Sequence, residues 1–480
     1  MSDCCDTGSG SGPGPDQGYD LAVLGAGSAG FSAAITAAEL GAQVALIGHG
    51  TLGGTCVNIG CVPSKTLIRA AETVHHANAA GRFAGLSARA EVRDWGALVA
   101  QKDQLVSDLR KAKYTDVLPE YNNIAYLEGK ARLTEDGVAI DGTVVPAGKI
   151  VIATGAAPAI PTVSGIDDVP FLTSTTALEL TALPDSMVVV GGGYIGCELS
   201  QMFARVGVRM TIMCRSRLLP EAEPEIGAAL TGFFRDEGIT VIDGATYRSV
   251  RESEDGIAFE IAHDGKDRTI AATKLLLTTG RRPNTKGLGL DESGIVVDVR
   301  GGIKVDDRMR TTRPGVYAAG DVTGRDQFVY MAAYGARIAA ENALNGDSRS
   351  YDATAMPAVV FTDPQAASVG LTEAAAATVG FDVKTSLLPL EHVPRALAAR
   401  DARGLIKLVA DRATDRLLGA HILAPEGADS IQTAALAIKA GMTAQDLGAT
   451  IFPYLTTVEG LKLAAQTFEK DVSKLSCCAG

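Results

Sequence analysis

Cysteines are the residues here whose type and spacing could do chemistry. There are eight of them in 480 residues. Cys56 and Cys61 lie close together in the glycine-rich stretch GGTCVNIGCVPSK, and adjacent pairs stand near each end, Cys4-Cys5 and Cys477-Cys478. Thiolates are nucleophiles, electron-pair carriers and ligands for soft metal ions. Cys61 comes just before Val62-Pro63-Ser64, which reads as a helix start with proline in the first turn. The helix dipole and Lys65, one turn on, would lower its pKa from about 8.5. Cys56 is expected in the loop before that helix, close enough for a small-ring disulfide. A structural disulfide or half of a zinc site are the plainer readings. Cysteine content far below that of a disulfide scaffold weighs against the first, and the lack of further Cys or His at ligand spacing against the second. Cys197 and Cys214 lie in apolar segments and read as small buried hydrophobes.

Glycines supply the second signal. Gly25, Gly27 and Gly30 form G-x-G-x-x-G between a strand pattern and a helix pattern, and Gly191, Gly193 and Gly196 repeat it. The first glycine makes a tight turn, the second lets a pyrophosphate approach the backbone, and the third packs helix on strand. The phosphates then sit at the helix N-terminus. An acid about 20 residues on usually holds the adenosine ribose. After the first fingerprint that position is Gly48, followed by His49. After the second, Arg215 and Arg217 follow Cys214 with no carboxylate, which suits a 2′-phosphate and hence NADPH. Two solvated surface charges are the alternative.

These residues need elements to position them. YDLAVLG, FSAAITAAEL and QVALIG read as strand, helix and strand, and the pattern returns over MVVVGGGYIG, CELSQMFARVG and VRMTIMC. Helical stretches are expected at about 62–80 and 94–118, and short strands in IAYLEGKARL, GVAIDG, KIVIATG and GVYAAGDVTG. The expected fold is α/β, with two Rossmann-like dinucleotide-binding domains and a C-terminal α+β domain. The expected division is a flexible tail over 1–18, a first domain over 19–157 completed by 281–352, a second over 158–280, and a third over 353–480. The charge balance of 44 basic against 56 acidic residues, net −12, disfavours nucleic acid. No apolar run approaches the ~20 residues of a membrane span, and Met1–Gly18 has no apolar signal core. A cytoplasmic protein is expected.

The sequence resembles the pyridine nucleotide-disulphide oxidoreductases. GGTCVNIGCVPSK is similar to their redox-active motif and GVYAAGD to their second FAD motif, in the family's order from about residue 19 to the C-terminus. The resemblance implies FAD on the first fingerprint, NADPH on the second, and a C-terminal dimerisation domain. It makes Cys61 the thiol facing the flavin and Cys56 the exchanging thiol. Lys65 would lie near the flavin and pair with Glu198. Gly50, Thr55, Ala131, Gly155, Asp321 and Val329 would line FAD, with Asp321 toward the ribityl and phosphates.

Disulfide-reducing members carry His-Pro-Thr-x-x-Glu near the C-terminus, where the histidine is acid-base for a leaving thiol. Here Phe452-Pro453-Tyr454-Leu455-Thr456-Thr457-Val458-Glu459 puts Tyr454 in the histidine's place, and none of the six histidines follows His421. A soft metal ion needs thiolates and two electrons, with no leaving sulfur to protonate. FPYLTTVEGLKLAAQTF and SCCAG resemble the C-terminus of the members that reduce mercuric ion. That likeness implies NADPH- and FAD-dependent reduction of Hg(II), presented as thiol complexes, to Hg(0) in a homodimer. Cys477 and Cys478 of one subunit would pass Hg(II) to Cys56 and Cys61 of the other, with Tyr114 and Tyr454 lining the metal site. Such members often begin with a Cys-x-x-Cys metal-binding domain; the likeness here starts at Tyr19, implying a form without it, with Cys4-Cys5 either a tether for Hg(II) or part of an idle tail. Two other readings stay open. One is a disulfide reductase of thioredoxin- or glutathione-reductase type with a C-terminal redox relay, the other a non-catalytic mercury-binding protein.

Overall fold

The computed structural model describes residues 18–135 and 137–472. Cys4, Cys5, Cys477 and Cys478 lie outside the described residues, as do residues 1–17 of the tail expected over 1–18. The chain begins with β1 (Tyr19–Leu24), α1 (Ser28–Glu39), β2 (Val44–Gly48), α2 (Gly54–Ile59), α3 (Cys61–Asn78) and α4 (Trp95–Arg110). There follow β3 (Ile124–Glu128), β4 (Ala131–Leu133), β5 (Gly137–Ile140) and β6 (Thr143–Ile152). It divides into two compact units, each assembled from stretches distant in sequence.

The first unit takes the chain up to Ser64, Ala100–Ala159 and Arg281–Asp352. Its sheet runs β3-β2-β1-β6-β5-β4, and Val316–Ala318 also pairs with β6. β1, β2, β3, β6 and Val316–Ala318 are parallel, whereas β4 and β5 are antiparallel additions. Leu21, Val23 and Leu46 face α1 and the helix Val329–Asn345, while Leu24, Ile47 and Ile152 face the other side. Apolar residues on both faces explain why these strands read as continuous hydrophobic runs. α1 starts at Ser28, three residues before the expected FSAAITAAEL, because the helix begins inside the fingerprint.

The second unit holds Lys65–Val99, Ile160–Gly280 and the chain from Ala353 onward. A five-stranded parallel sheet orders Thr240–Ile242, Arg209–Met213, Ser186–Val190, Lys274–Leu277 and Leu172–Thr173. A three-stranded meander over 246–272 accompanies it. The C-terminal part is a five-stranded antiparallel sheet covered by the helix Gly427–Lys439. One difference from the expected division stands out. The segment 65–99, expected within 19–157, packs in the second unit, because Leu67, Ile68 and Ala71 of α3 share a core with Trp95, Val189 and Phe203. Among the described residues no helix is long and apolar enough to cross a membrane.

Candidate active site

In the first unit Gly25 adopts φ +114°, and a Cβ there would overlap the Ala153 carbonyl. A Cβ on Gly30 would overlap the Gly25 carbonyl oxygen. Gly27 caps α1 with no side-chain bond and no acid in the first turn, so the helix N–H groups remain available to an anion. The cysteine segment docks directly on this turn. Gly53 N–H donates to Ala26 O at 2.9 Å, and a Cβ on Gly54 would come within 2.7 Å of Gly27 Cα. Glycine packed on glycine is thus what brings the thiols to the fingerprint. The GG signal preceding Thr55-Cys56 was visible in sequence, but its partner was not.

Cys56 lies on the short helix α2, not in the expected loop, because Asn58 Nδ2 donates to Leu52 O and Gly54 O at 2.8 and 2.9 Å and closes the turn. Gly60 ends α2, and Cys61 is the first residue of α3, with Lys65 one turn on. Cys61 is exposed and Cys56 half-buried. Tyr114 belongs to a π-helical turn, Lys111–Thr115, that closes α4. Its ring covers Gly53, stands edge-on to Phe31 at 4.7 Å, and its hydroxyl is 3.2 Å from Ser28 Oγ. Burial holds its phenol above the usual range, reinforced by Cys56 and Cys61 and opposed by the Ser28 bond. The tyrosine and both thiols therefore share one local field.

Thr55 and Asp321 are joined through Arg281. Arg281 Nη2 is 3.4 Å from Thr55 Oγ1, and its Nε is 3.4 Å from Asp321 Oδ2. Burial raises the Asp321 pKa, with Arg281 pulling it back. Gly50 and Gly155 have φ of +84° and +70° with open space beside them. Ala131 opens β4 and Val329 opens the helix Val329–Asn345. These features fit a dinucleotide: two glycines too tight for side chains, an open helix N-terminus, and a polar Thr55–Arg281–Asp321 chain.

In the second unit Lys65 Nζ binds Glu198 Oε2 at 2.7 Å and sits 4.9 Å from the Phe361 ring centre. Glu198, only 6% exposed, also accepts the Phe361 N–H at 2.9 Å, so both carboxylate oxygens are held. The second fingerprint repeats the first. Gly191 has φ +121° against Thr278, and a Cβ on Gly196 would overlap the Gly191 carbonyl. Gly193 caps the helix Tyr194–Arg205 in open space. The two arginines expected at the 2′-phosphate differ in their surroundings. Arg217 already donates to the carbonyls of Leu219, Pro220, Ala222 and Glu223, at 2.7 to 3.4 Å, whereas Arg215 is exposed. Burial pushes the Cys197 thiol up, and burial with Asp243 nearby pushes Cys214 up to about 11, as inert core thiols require. Tyr454 stands on a turn and is 56% exposed. Among the described residues no three His, Cys, Asp or Glu side chains form a metal cluster.

The family model for pyridine nucleotide-disulphide oxidoreductases matches residues 19–340. The chain belongs to this family. Its dimerisation domain matches residues 356–465. Among proteins similar to this oxidoreductase is the mercuric reductase of Streptomyces lividans, 48% identical over 96% of this chain and 99% of the relative. The mercuric reductase of Lysinibacillus sphaericus is 46% identical over 97% of this chain and 85% of its own. Solved structures of similar fold include the Cu(II) complex of the HOCl-induced flavoprotein disulfide reductase RclA from Escherichia coli. Its TM-score is 0.82 at 30% identity, covering 94% of this chain and 99% of that one. LpdA from Mycobacterium tuberculosis has TM-score 0.82 at 27% identity, with the same coverage.

Proposed function

We propose that this oxidoreductase reduces Hg(II) to volatile Hg(0) at the expense of NADPH. The observation that carries the reading is the thiol pair Cys56 and Cys61 on successive helices, with Tyr114 packed on the Gly53 turn that leads into them, in a chain this similar to mercuric reductases along nearly its whole length. The overall reaction is NADPH plus Hg(II) giving NADP⁺, one proton and Hg(0), which balances two electrons against the two-electron reduction of the metal. The residues of the first fingerprint would hold FAD, and bound there it would supply two-electron carrier chemistry between NADPH and the thiol-held metal.

Gly25, Gly27 and Gly30 at the α1 N-terminus would hold the FAD pyrophosphate, and Asp321 and Arg281 would offer polar groups to its ribityl chain. Gly193 opens the second helix to the NADPH pyrophosphate, and Arg215 receives the 2′-phosphate. Glu198 holds the Lys65 side chain in place one turn beyond Cys61. Cys56 and Cys61 take Hg(II) as thiolates, and the phenol of Tyr114, kept protonated by its burial, is a neutral neighbour to the metal. A homodimer follows from the dimerisation domain, with Cys477 and Cys478 of the partner subunit delivering Hg(II) and the partner subunit's Tyr454 closing the site. Tyr454 in the acid-base position favours a metal over a disulfide, because no leaving thiol has to be protonated.

The test is NADPH oxidation by the purified holoprotein with Hg(II) in excess small thiol, beside glutathione disulfide, lipoamide and thioredoxin. Hg(II)-dependent oxidation with release of volatile mercury is expected, and a Cys56→Ser variant should lose it. Turnover of a disulfide, with Hg(II) acting only as an inhibitor, would overturn the proposal.

A further inference from the structure

β2 ends on Gly48, the place where a doubly wound fold presents the side chain that takes the adenosine ribose. Gly48 brings no side chain, and another residue fills the space. A Cβ built on Gly48 would lie 2.8 Å from the Tyr126 hydroxyl, 2.9 Å from its ring edge and 2.8 Å from Cβ of Ala26, inside the first fingerprint. Atoms do not pack that closely, so Tyr126 in this position requires glycine at 48. β2 and β3 are parallel with Leu46 opposite Tyr126 and Gly48 opposite Glu128. Residues two apart share a face of the sheet. Tyr126 and Glu128 therefore rise on the face that a side chain at 48 would use. The Gly129 N–H donates to Gly48 O at 2.8 Å and holds the strand ends in this register. Burial, and then the charge of Glu128, raise the Tyr126 pKa, so the two groups feel one another.

We propose that Tyr126 and Glu128 together replace the missing β2 carboxylate, the phenol and the carboxylate taking the adenosine ribose hydroxyls of FAD. The inference rests on the reading that the first fingerprint holds FAD. Its chemistry is that of the acid it replaces: Glu128 accepts from ribose hydroxyls, and the Tyr126 hydroxyl can donate or accept. Glu128 would also repel a phosphate on the 2′-oxygen, which keeps this subsite for a plain adenosine.

The experiment removes the flavin from the holoprotein and titrates the apoprotein with FAD and with FAD lacking the adenosine 2′-hydroxyl, read by flavin fluorescence. Wild type should bind the deoxy analogue ~10-fold more weakly than FAD. Glu128→Ala and Tyr126→Phe should each weaken FAD by ~3- to 10-fold and shrink the gap between FAD and analogue. That gap is a ratio within one variant, so partial unfolding does not imitate it. Gly48→Glu combined with Tyr126→Ala should bring FAD affinity back toward wild type. If both single variants keep the wild-type gap, the ribose is held elsewhere and the proposal fails. If wild-type apoprotein takes up no FAD at all, the FAD reading itself falls.

Discussion

At the scale of single residues, the two arginines after the second fingerprint show how one side-chain type serves opposite ends. Arg217 spends its terminal nitrogens on four backbone carbonyls between Leu219 and Glu223, so it holds the loop that follows the strand. Arg215 is exposed just after the strand that follows the fingerprint helix, and it is the residue to which the proposed 2′-phosphate contact is assigned. Arg215→Ala should therefore raise the KM for NADPH ~10-fold or more, since a charge-assisted bond is worth about 1.5–3 kcal/mol, and leave the KM for NADH where it was. Arg217→Ala should instead cost about 1–3 kcal/mol of stability with the NADPH preference intact. Steady-state kinetics with both nucleotides, beside melting curves, separates the two. An unchanged NADPH-to-NADH ratio in Arg215→Ala would return the 2′-phosphate to some other group. Sequence made both arginines equal candidates because spacing says where a cation lies along the chain, not which carbonyls surround it.

At the scale of elements, the two fingerprints are turns in which glycine is needed for different reasons at neighbouring positions. Gly196 is needed for packing, because its Cβ would overlap the Gly191 carbonyl and lie 2.8 Å from Thr278 Oγ1. Gly193 has ordinary extended backbone with open space around it, so the fold itself tolerates a methyl there. Gly196→Ala should lose about 1–3 kcal/mol and melt early. Gly193→Ala should keep its melting point to within about 1 kcal/mol of stability and raise the KM for NADPH ~10-fold, because the methyl stands where the pyrophosphate approaches. Equal melting losses in both variants would mean the open cap is structural. Elements of this kind were legible in the sequence: strand, turn and helix around each fingerprint follow from apolar runs and glycine spacing. What escaped were features set by distant partners. Cys56 on α2 depends on the Asn58 side chain, and the π turn under Tyr114 depends on packing against Gly53 and Phe31. Tyr126 filling the space beside Gly48 depends on strand order, which no local pattern encodes.

At the scale of the whole molecule, the second unit is assembled from three separated stretches, and an ionic network centred on buried Asp363 joins all three. His76 comes from the first stretch, Arg205 and Glu237 from the second, and Asp363, Asp401 and Arg403 from the third. Asp363 Oδ2 is 3.0 Å from Arg205 and 3.2 Å from His76 Nε2, while Arg205 also grips Glu237 at 2.7 Å. Burial alone would raise the Asp363 pKa, but the His76 bond and the charges of Arg205 and Arg403 outweigh it and hold the carboxyl well below the usual range. A carboxylate depressed in the folded state adds stability above its unfolded pKa of about 3.9 and loses that stability as pH falls toward the folded value. Asp401 is lowered by Arg403 against its own burial and acts in the same window. Melting temperature should therefore fall steeply below about pH 4. Asp363→Asn should melt lower at neutral pH, because buried Arg205 and half-buried Arg403 lose a counter-charge, by about 3 kcal/mol on the scale of broken buried pairs. Its acid limb should also be shallower than that of wild type, since one carboxylate fewer has to be protonated. Thermal melts of holoprotein from neutral to acid pH give both slopes. Parallel acid limbs in the two proteins would remove Asp363 from the acid response and leave the joining of the three stretches to apolar packing alone.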